Sequence, residues 1–475
     1  MNRFKKVILL LGIALTQLTF GQEIYSIDQR QMTIEYVDSV IAAYEAGEME
    51  KPVYNLNKII HISEQLAYTK GVSAGYSHVI DLHKELGEFP LELRNILLFS
   101  NYLEKKALFG EQSKRLYRAG NIYYNYELYE KALTSYLIAD GNGVADYTFG
   151  KQLKKQIALT YFQLENYEDA ELELILLGQK ARSKKDWNTA LWSLQQISKI
   201  KHVQKQYSDE LNLSKEIVEL TDSLDLKDEQ NIAINNLAYT FRYLEKYDEA
   251  IAYLEPLISK KKTEQDAFVY QNLAILYQNK KELEQAKTYF QEAYQIHKRN
   301  KNYYYQAYLL DFIALMSYQE SDFHSALLYN EETLYLAKKH KVGDVYQSGY
   351  YTRVLIDQGL FEYEDALKHL NRHLEIKDSL QTIKDRKKSQ IELQQLFLDR
   401  TEDEVQMHFI SEEIKDLEIQ RLRAEQDANA ERLKRFASDS LLNMQKIITQ
   451  QLQLNEVRNQ LELQQQTLEI QEKEN

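Results

Sequence analysis

One pattern occurs twice between residues 231 and 298, as INNLAYTFRYLEKYDEAIAYL and YQNLAILYQNKKELEQAKTYF. In the first copy Leu237, Ala238, Phe241, Tyr247, Ala250 and Leu254 are the apolar and small positions; in the second, Leu273, Ala274, Tyr277, Leu283, Ala286 and Phe290 fall at the same offsets. Spacings of three and four residues belong to amphipathic helices. Each copy divides at a polar turn, Glu245-Lys246-Tyr247-Asp248 or Lys280-Lys281-Glu282, into two such helices. Small residues such as Ala238 and Ala250 let two antiparallel helices approach closely while aromatic rings fill the space beside them. A hairpin this short cannot bury its apolar faces alone, so it demands stacked neighbours.

Few residues stand in the way of such an array. The 475 residues include three Pro and fifteen Gly, which favours long helices with short turns. The reference alanine of the second helix recurs as Ala132, Ala170, Ala250, Ala286, Ala326 and Ala366, at steps of mostly 36 to 40 residues. The one step of 80, from Ala170 to Ala250, leaves room for a copy whose reference position is Glu210. Stepping back by 40 from Ala132 reaches Glu92 and then Pro52, a residue tolerated in the first turn of a helix. Nine hairpins are thus expected, starting near residues 33, 73, 113, 151, 191, 231, 267, 307 and 347. The first, second and fifth are degenerate. The fifth carries both tryptophans, Trp187 and Trp192, which fill space or form a binding patch. Pro256 lies inside a second helix, where a kink or an early end is expected.

Two copies carry the fullest version of the pattern. Leu116, Ala119, Gly120, Tyr123, Ala132, Tyr136 and Ala139 form one, and Tyr270, Leu273, Ala274, Tyr277, Ala286, Phe290 and Ala293 the other. On these residues the array, residues 33–383, resembles the tetratricopeptide repeat (TPR) family. The closing Pro of the family pattern is missing, and the period is mostly 40, which resembles the longer-helix variants of bacterial signalling proteins. The resemblance implies an all-α fold, a TPR-type right-handed superhelix of antiparallel helical hairpins.

After Leu380 the pattern changes. Ile391, Leu398, Val405, Ile419, Leu433, Ile447, Leu454, Leu461 and Leu468 share one seven-residue register, interrupted by Glu412, Gln426 and Ser440. With no Gly or Pro from 381 to 475, residues 384–475 read as a long C-terminal helix, a coiled coil through which the chain would form a homodimer or take a partner. The second seam position is polar (Gln451, Arg458, Gln465, Glu472), so the coiled coil is expected to depend on its partner and to break near residues 427–429. A solvated single helix is the alternative.

Composition excludes several functions. A net charge of −13 argues against a nucleic-acid partner, which requires a basic face. Zero Cys excludes disulfides, thiolate metal sites and Cys nucleophiles. At the N-terminus, Asn2, Arg3, Phe4, Lys5 and Lys6 form a basic stretch. An apolar run at 7–18 follows, with small residues Thr19 and Gly21 before Gln22. Residues 1–21 read as a signal peptide cleaved between Gly21 and Gln22, which makes the chain exported and periplasmic. No later stretch approaches the length of a membrane span.

No phosphate-binding Gly loop, nucleophile elbow or H-E-x-x-H occurs, so the chain reads as non-enzymatic, with no cofactor. Asp365, His369 and His373, four apart on one helix face, are a metal-ligand candidate; the competing reading is ordinary helix packing. Lys384-Asp385-Arg386-Lys387-Lys388 is an anion-binding stretch or a solvated helix start. The TPR resemblance implies a site of another kind, on a concave face lined by the first helices, where peptides or proteins bind. Its positions correspond here to Asn235, Asn236, Tyr239, Arg242, Gln271, Asn272, Gln278, Tyr308, Asp311, Tyr318, Tyr351 and Gln358. Asn236 and Asn272 occupy one repeat position, and an amide there donates and accepts at once, as reading an extended peptide requires. The resemblance points to an envelope interaction scaffold or sensor. The alternatives are the sensory half of a split or truncated histidine kinase or other signalling protein, and a metal-binding enzyme.

Overall fold

The computed structural model describes residues 27–258 and 263–474, with side chains at 28–258 and 263–467. The expected signal peptide and the side chain of Leu468 lie outside the described residues. Among those residues there are eighteen α-helices and no strand. In chain order they pair into nine hairpins: α1 (Ile27–Glu45) with α2 (Pro52–Gln65), α3 (Thr69–Glu85) with α4 (Phe89–Lys105), and α5 (Phe109–Asn125) with α6 (Tyr129–Gly141). Next come α7 (Tyr147–Gln163) with α8 (Tyr167–Ser183), α9 (Trp187–Val203) with α10 (Tyr207–Ser223), and α11 (Lys227–Tyr243) with α12 (Tyr247–Leu254). The last three are α13 (Glu264–Asn279) with α14 (Leu283–Arg299), α15 (Tyr303–Gln319) with α16 (Phe323–Lys339), and α17 (Gly343–Gly359) with α18 (Tyr363–Glu474). Each begins three to six residues before the expected position, because the first turn is largely solvated and carries little of the apolar pattern.

The repeating element is a helix of 17 residues followed by a joint of three. After α11 ends at Tyr243, Glu245 adopts a left-handed conformation (φ 57°). Lys246 N–H then donates to the Phe241 carbonyl (3.0 Å) and Glu245 N–H to that of Arg242 (3.1 Å). This closure satisfies carbonyls that a helix end leaves over, and the next helix starts at once. The same joint recurs along the chain, from Ala67 to Phe361. Two such helices with their joints span 40 residues, which is the period in the sequence. The shorter steps have local causes. The helix α6 stops after 13 residues, and α12 stops at Leu254 because Pro256 diverts the chain into a 3₁₀ turn, Glu255–Leu257.

Between paired helices the reference alanines Ala132, Ala170, Ala250, Ala286 and Ala326 are fully buried. Two degenerate copies bury an acid there instead. Glu92 accepts from Arg118 Nε (2.6 Å), and Glu210 is held by Thr240 Oγ1 (2.9 Å) and His202 Nδ1 (3.0 Å). Trp192 is half-buried against the α7–α10 cluster, with Lys155 Nζ 4.4 Å from its ring centroid, so it fills space.

The last helix is continuous for 112 residues, about 170 Å at 1.5 Å per residue. It passes through residues 427–429 without the expected break; Asp427, Ala428 and Asn429 include no residue that terminates a helix. Residues up to Asp399 belong to one compact unit and those from Arg400 to another. Within the first, α18 meets the third hairpin. Gln395 Nε2 donates to the Tyr126 carbonyl (2.7 Å), Lys131 pairs with Asp399 (2.8 Å), and Leu398 is fully buried in the core built by α1–α7. Ile391 is half-buried. Leu398 therefore does not belong to an intermolecular seam: a seven-residue register fixes which residues share a face, not what that face meets. Val405 is also buried. The second unit is a single helix on which Ile419, Leu433, Ile447, Leu454 and Leu461 are exposed. No described helix is long and apolar enough to cross a membrane.

Candidate binding groove

Two cavities meet at Asn236 on α11. One, of about 280 Å³, lies among α9, α10 and α11 and is lined by residues including Lys199, His202, Glu210 and Tyr239. The other, of about 470 Å³, lies between α11 and α13 and is lined by residues including Asn231, Asn235, Phe268 and Asn272. Adjacent first helices bring these amides together, since one repeat step carries a side chain onto the neighbouring helix. Asn235 donates to the Asn231 carbonyl (2.8 Å), and Asn272 donates to Asn235 Oδ1 (2.8 Å). Those bonds fix the orientation of two amides. The exposed amide of Asn236 has no side-chain hydrogen bond among the described residues.

Beside Asn236 stands an aromatic cluster. The His202 ring lies 5.3 Å from Tyr239, 4.8 Å from Tyr243 and 5.6 Å from Tyr207, and Tyr207 stacks on Tyr243 at 5.1 Å. The Tyr239 and Tyr243 hydroxyls share a hydrogen bond of 2.9 Å. Burial, then that bond, raises the pKa of Tyr239 above the usual phenol value and keeps it a neutral donor. The Arg242 guanidinium sits 4.6 Å from the Tyr239 centroid and 5.2 Å from that of Tyr243. Lys199 lies 5.3 Å from that of Phe162. Neither cation has a carboxylate partner among the described residues, so both keep their charge available at the rim.

Of the twelve residues expected on this face, Asn235, Asn236, Tyr239 and Asn272 line the cavities, and Arg242 stacks on Tyr239. The other seven do not line them. The side-chain oxygen Oε1 of Gln271 is buried without a partner, and Gln278 is half-buried. Tyr308 joins a ring cluster with Tyr304, Tyr305 and Phe312. Asp311 accepts from Ser348 Oγ (2.7 Å), and its other oxygen is buried without a partner. Burial raises the Asp311 pKa against the opposing pull of Ser348 and Thr352. Tyr318 packs on Phe323 (5.9 Å), Tyr351 on His373 (5.6 Å), and Gln358 is exposed. The sequence reading missed His202, Lys199 and Phe268. The acid Glu210, standing where other copies have alanine, is the one signal that could have pointed to the first cavity.

The metal-ligand candidate does not assemble. His369 Nδ1 bonds Asp357 Oδ2 (2.6 Å), His373 Nδ1 bonds the Gln347 carbonyl (2.9 Å), and Asp365 pairs with Lys368 (3.1 Å). One helix face aligns the three, but each turns to a different neighbour. Among the described residues no three His, Asp or Glu are grouped to hold a metal. Residues 384–388 are all exposed on α18.

Residues 232–262 and 269–300 match the family model of the tetratricopeptide repeat. No curated protein matches the chain. Among solved structures, the chain is similar to a STAND signal-transduction ATPase with a tetratricopeptide repeat sensor from Pyrococcus horikoshii. That likeness has TM-score 0.47 and 14% identity, over 78% of this chain and 56% of that one. It is also similar to the apo quorum sensor NprR from B. thuringiensis (TM-score 0.40, 16% identity, 72% of this chain and 99% of that one). A third is BtubC from P. vanneervenii (TM-score 0.41, 14% identity, 45% and 92%). The two matched stretches are tetratricopeptide repeats, and the helical hairpins on either side of them repeat the same helix and joint.

Proposed function

We propose that the chain is a non-enzymatic interaction scaffold or sensor that takes an extended peptide or protein segment in the groove around Asn236. The observation that carries this reading is an unpaired amide set between two cavities, with rigid amides on one side and aromatic rings on the other. Asn236 can give and accept one bond each from a peptide unit, and the tyrosines offer apolar area with little loss of side-chain entropy. The basic and apolar N-terminal stretch supports export to the periplasm, and with it a role in envelope signal transduction.

The test uses the full chain against an array of random peptides and then the best binder in solution. Asn236→Ala with Asn272→Ala should weaken that binder at least tenfold, and N-methylation of the peptide amide opposite Asn236 should do the same. Equal affinity of wild type and double variant would remove the groove from the function. The exposed stripe Ile447, Leu454 and Leu461 supports self-association through the C-terminal half of α18. Light scattering should then show a dimer that Leu454→Asp with Leu461→Asp converts to a monomer; a wild-type monomer at tens of micromolar would sink this part.

A further inference from the structure

We infer that the face of α18 formed by Met407, Ile410, Ile414 and Leu417 docks an amphipathic helix of another protein whose flanking residues are basic. These four residues are spaced three, four and three apart, which is the a/d alternation of a two-helix seam. All four are exposed, between 49% and 66%. After Arg421 at the next a position, Ala424 and Ala428 continue the d and a positions as small residues that admit a close helix. An apolar stripe that is open along two heptads stabilises little unless another helix covers it.

Charge decides what that helix is. The e and g positions beside this seam include Glu413, Glu418, Glu425 and Asp427, and none of them is basic. None of these four acids has an ion-pair partner among the described residues, whereas Glu404 is already held by Arg400 (3.1 Å). In a parallel pair of two copies Glu413 would face Glu418 of the other chain. In an antiparallel pair e faces e and g faces g, so acid again meets acid. Charges at these positions set partner choice, so this stretch disfavours itself and favours Lys or Arg opposite. The downstream stripe differs. With Ile447, Leu454 and Leu461 and, four residues on, Gln451 and Arg458 as its seam, the flanking positions are Ile448, Gln450, Asn455, Val457, Glu462 and Gln464. The one acid among them, Glu462, is already paired with Arg458 (3.7 Å). One helix therefore carries a stretch compatible with its own copy and a stretch reserved for a basic partner.

The probes are two labelled 28-residue helical peptides with Ile at a and Leu at d, one with Lys and one with Glu at every e and g. Binding to the full chain is read by fluorescence anisotropy at about 150 mM salt, where only close charges act strongly. The Lys peptide should bind at least tenfold more tightly than the Glu peptide. Ile414→Asp should weaken the Lys peptide at least tenfold although it adds an acid, which separates seam docking from general attraction to an acidic protein. Glu413→Lys with Glu418→Lys should reverse the preference between peptides. The proposal is overturned by no binding of the Lys peptide, by binding that survives Ile414→Asp, or by Ile414→Asp converting an oligomer to a monomer, which would assign the face to a second copy.

Discussion

His297 is fully buried in the last turn of α14, stacked on Tyr305 at 4.8 Å and edge-on to Phe268 at 5.7 Å, with no hydrogen-bond partner on either ring nitrogen. Burial disfavours the imidazolium, Glu264 favours it, and burial is the larger, so the folded pKa lies below the usual 6.5. The unfolded chain then takes the proton first. Stability from the neutral ring is complete above about pH 6.5 and is lost as pH falls through and below that value. His297→Phe removes both the proton and the unpaired nitrogens, each of which costs on the order of 1–3 kcal/mol when buried. The variant should melt higher than wild type at pH 7.5, and the gap should widen at pH 5.5. A gap that is the same at both pH values would remove the proton from the account. Nothing in the sequence marked His297. Its surroundings come from α13 and α15, and a pattern read along one helix does not show which rings the neighbours supply.

At the scale of the helix pair, the sequence was legible wherever small residues recur. Ala119, Ala132 and Ala139 are buried at their pattern positions. At Gly120 any Cβ would collide with the ring of Tyr136, which is itself fully buried and donates to Asn121 Oδ1 (2.7 Å). Two of the degenerate copies, the second and the fifth, are legible only by stepping 40 residues, because an acid with a partner from outside the second helix replaces the alanine. For Glu92 the partner is Arg118, which also reaches Asp81 and the Ile80 carbonyl (3.1 Å). Removing one member of a buried pair strands the other, at about 3–5 kcal/mol, whereas an apolar residue that suits the site restores much of the loss. Arg118→Met should therefore destabilise by about 3 kcal/mol, and adding Glu92→Ala should recover part of it, since alanine is what this position holds elsewhere. Urea unfolding followed by circular dichroism reads both. A double variant less stable than Arg118→Met alone would mean that Glu92 is held by more than Arg118.

The scale of the whole chain is where sequence reading went furthest astray, and Leu398 shows why. It shares a seven-residue register with Ile391, yet it is buried against helices far back along the chain: its neighbour Gln395 bonds Tyr126, 269 residues away, at the end of α5. Tyr126 is the residue capping that helix, so its carbonyl is one that the helix cannot satisfy internally, and Gln395 satisfies it. Gln395, Leu398 and the Lys131–Asp399 pair all contribute to this contact, and they differ in strength. The Lys131–Asp399 pair is partly exposed and is worth about 1 kcal/mol or less. Leu398 is fully buried, and trimming such a leucine costs about 2–5 kcal/mol. Burial, rather than the ion pair, fastens the ninth hairpin's long helix to the third. Leu398→Ala should therefore speed hydrogen exchange both in α18 around residues 392–399 and across the α5–α6 joint at 125–129. Asp399→Ala should leave both nearly unchanged. Exchange that rises in α18 alone would mean that the helix covers the third hairpin without stabilising it. Equal effects of the two substitutions would place the fastening in the charges instead.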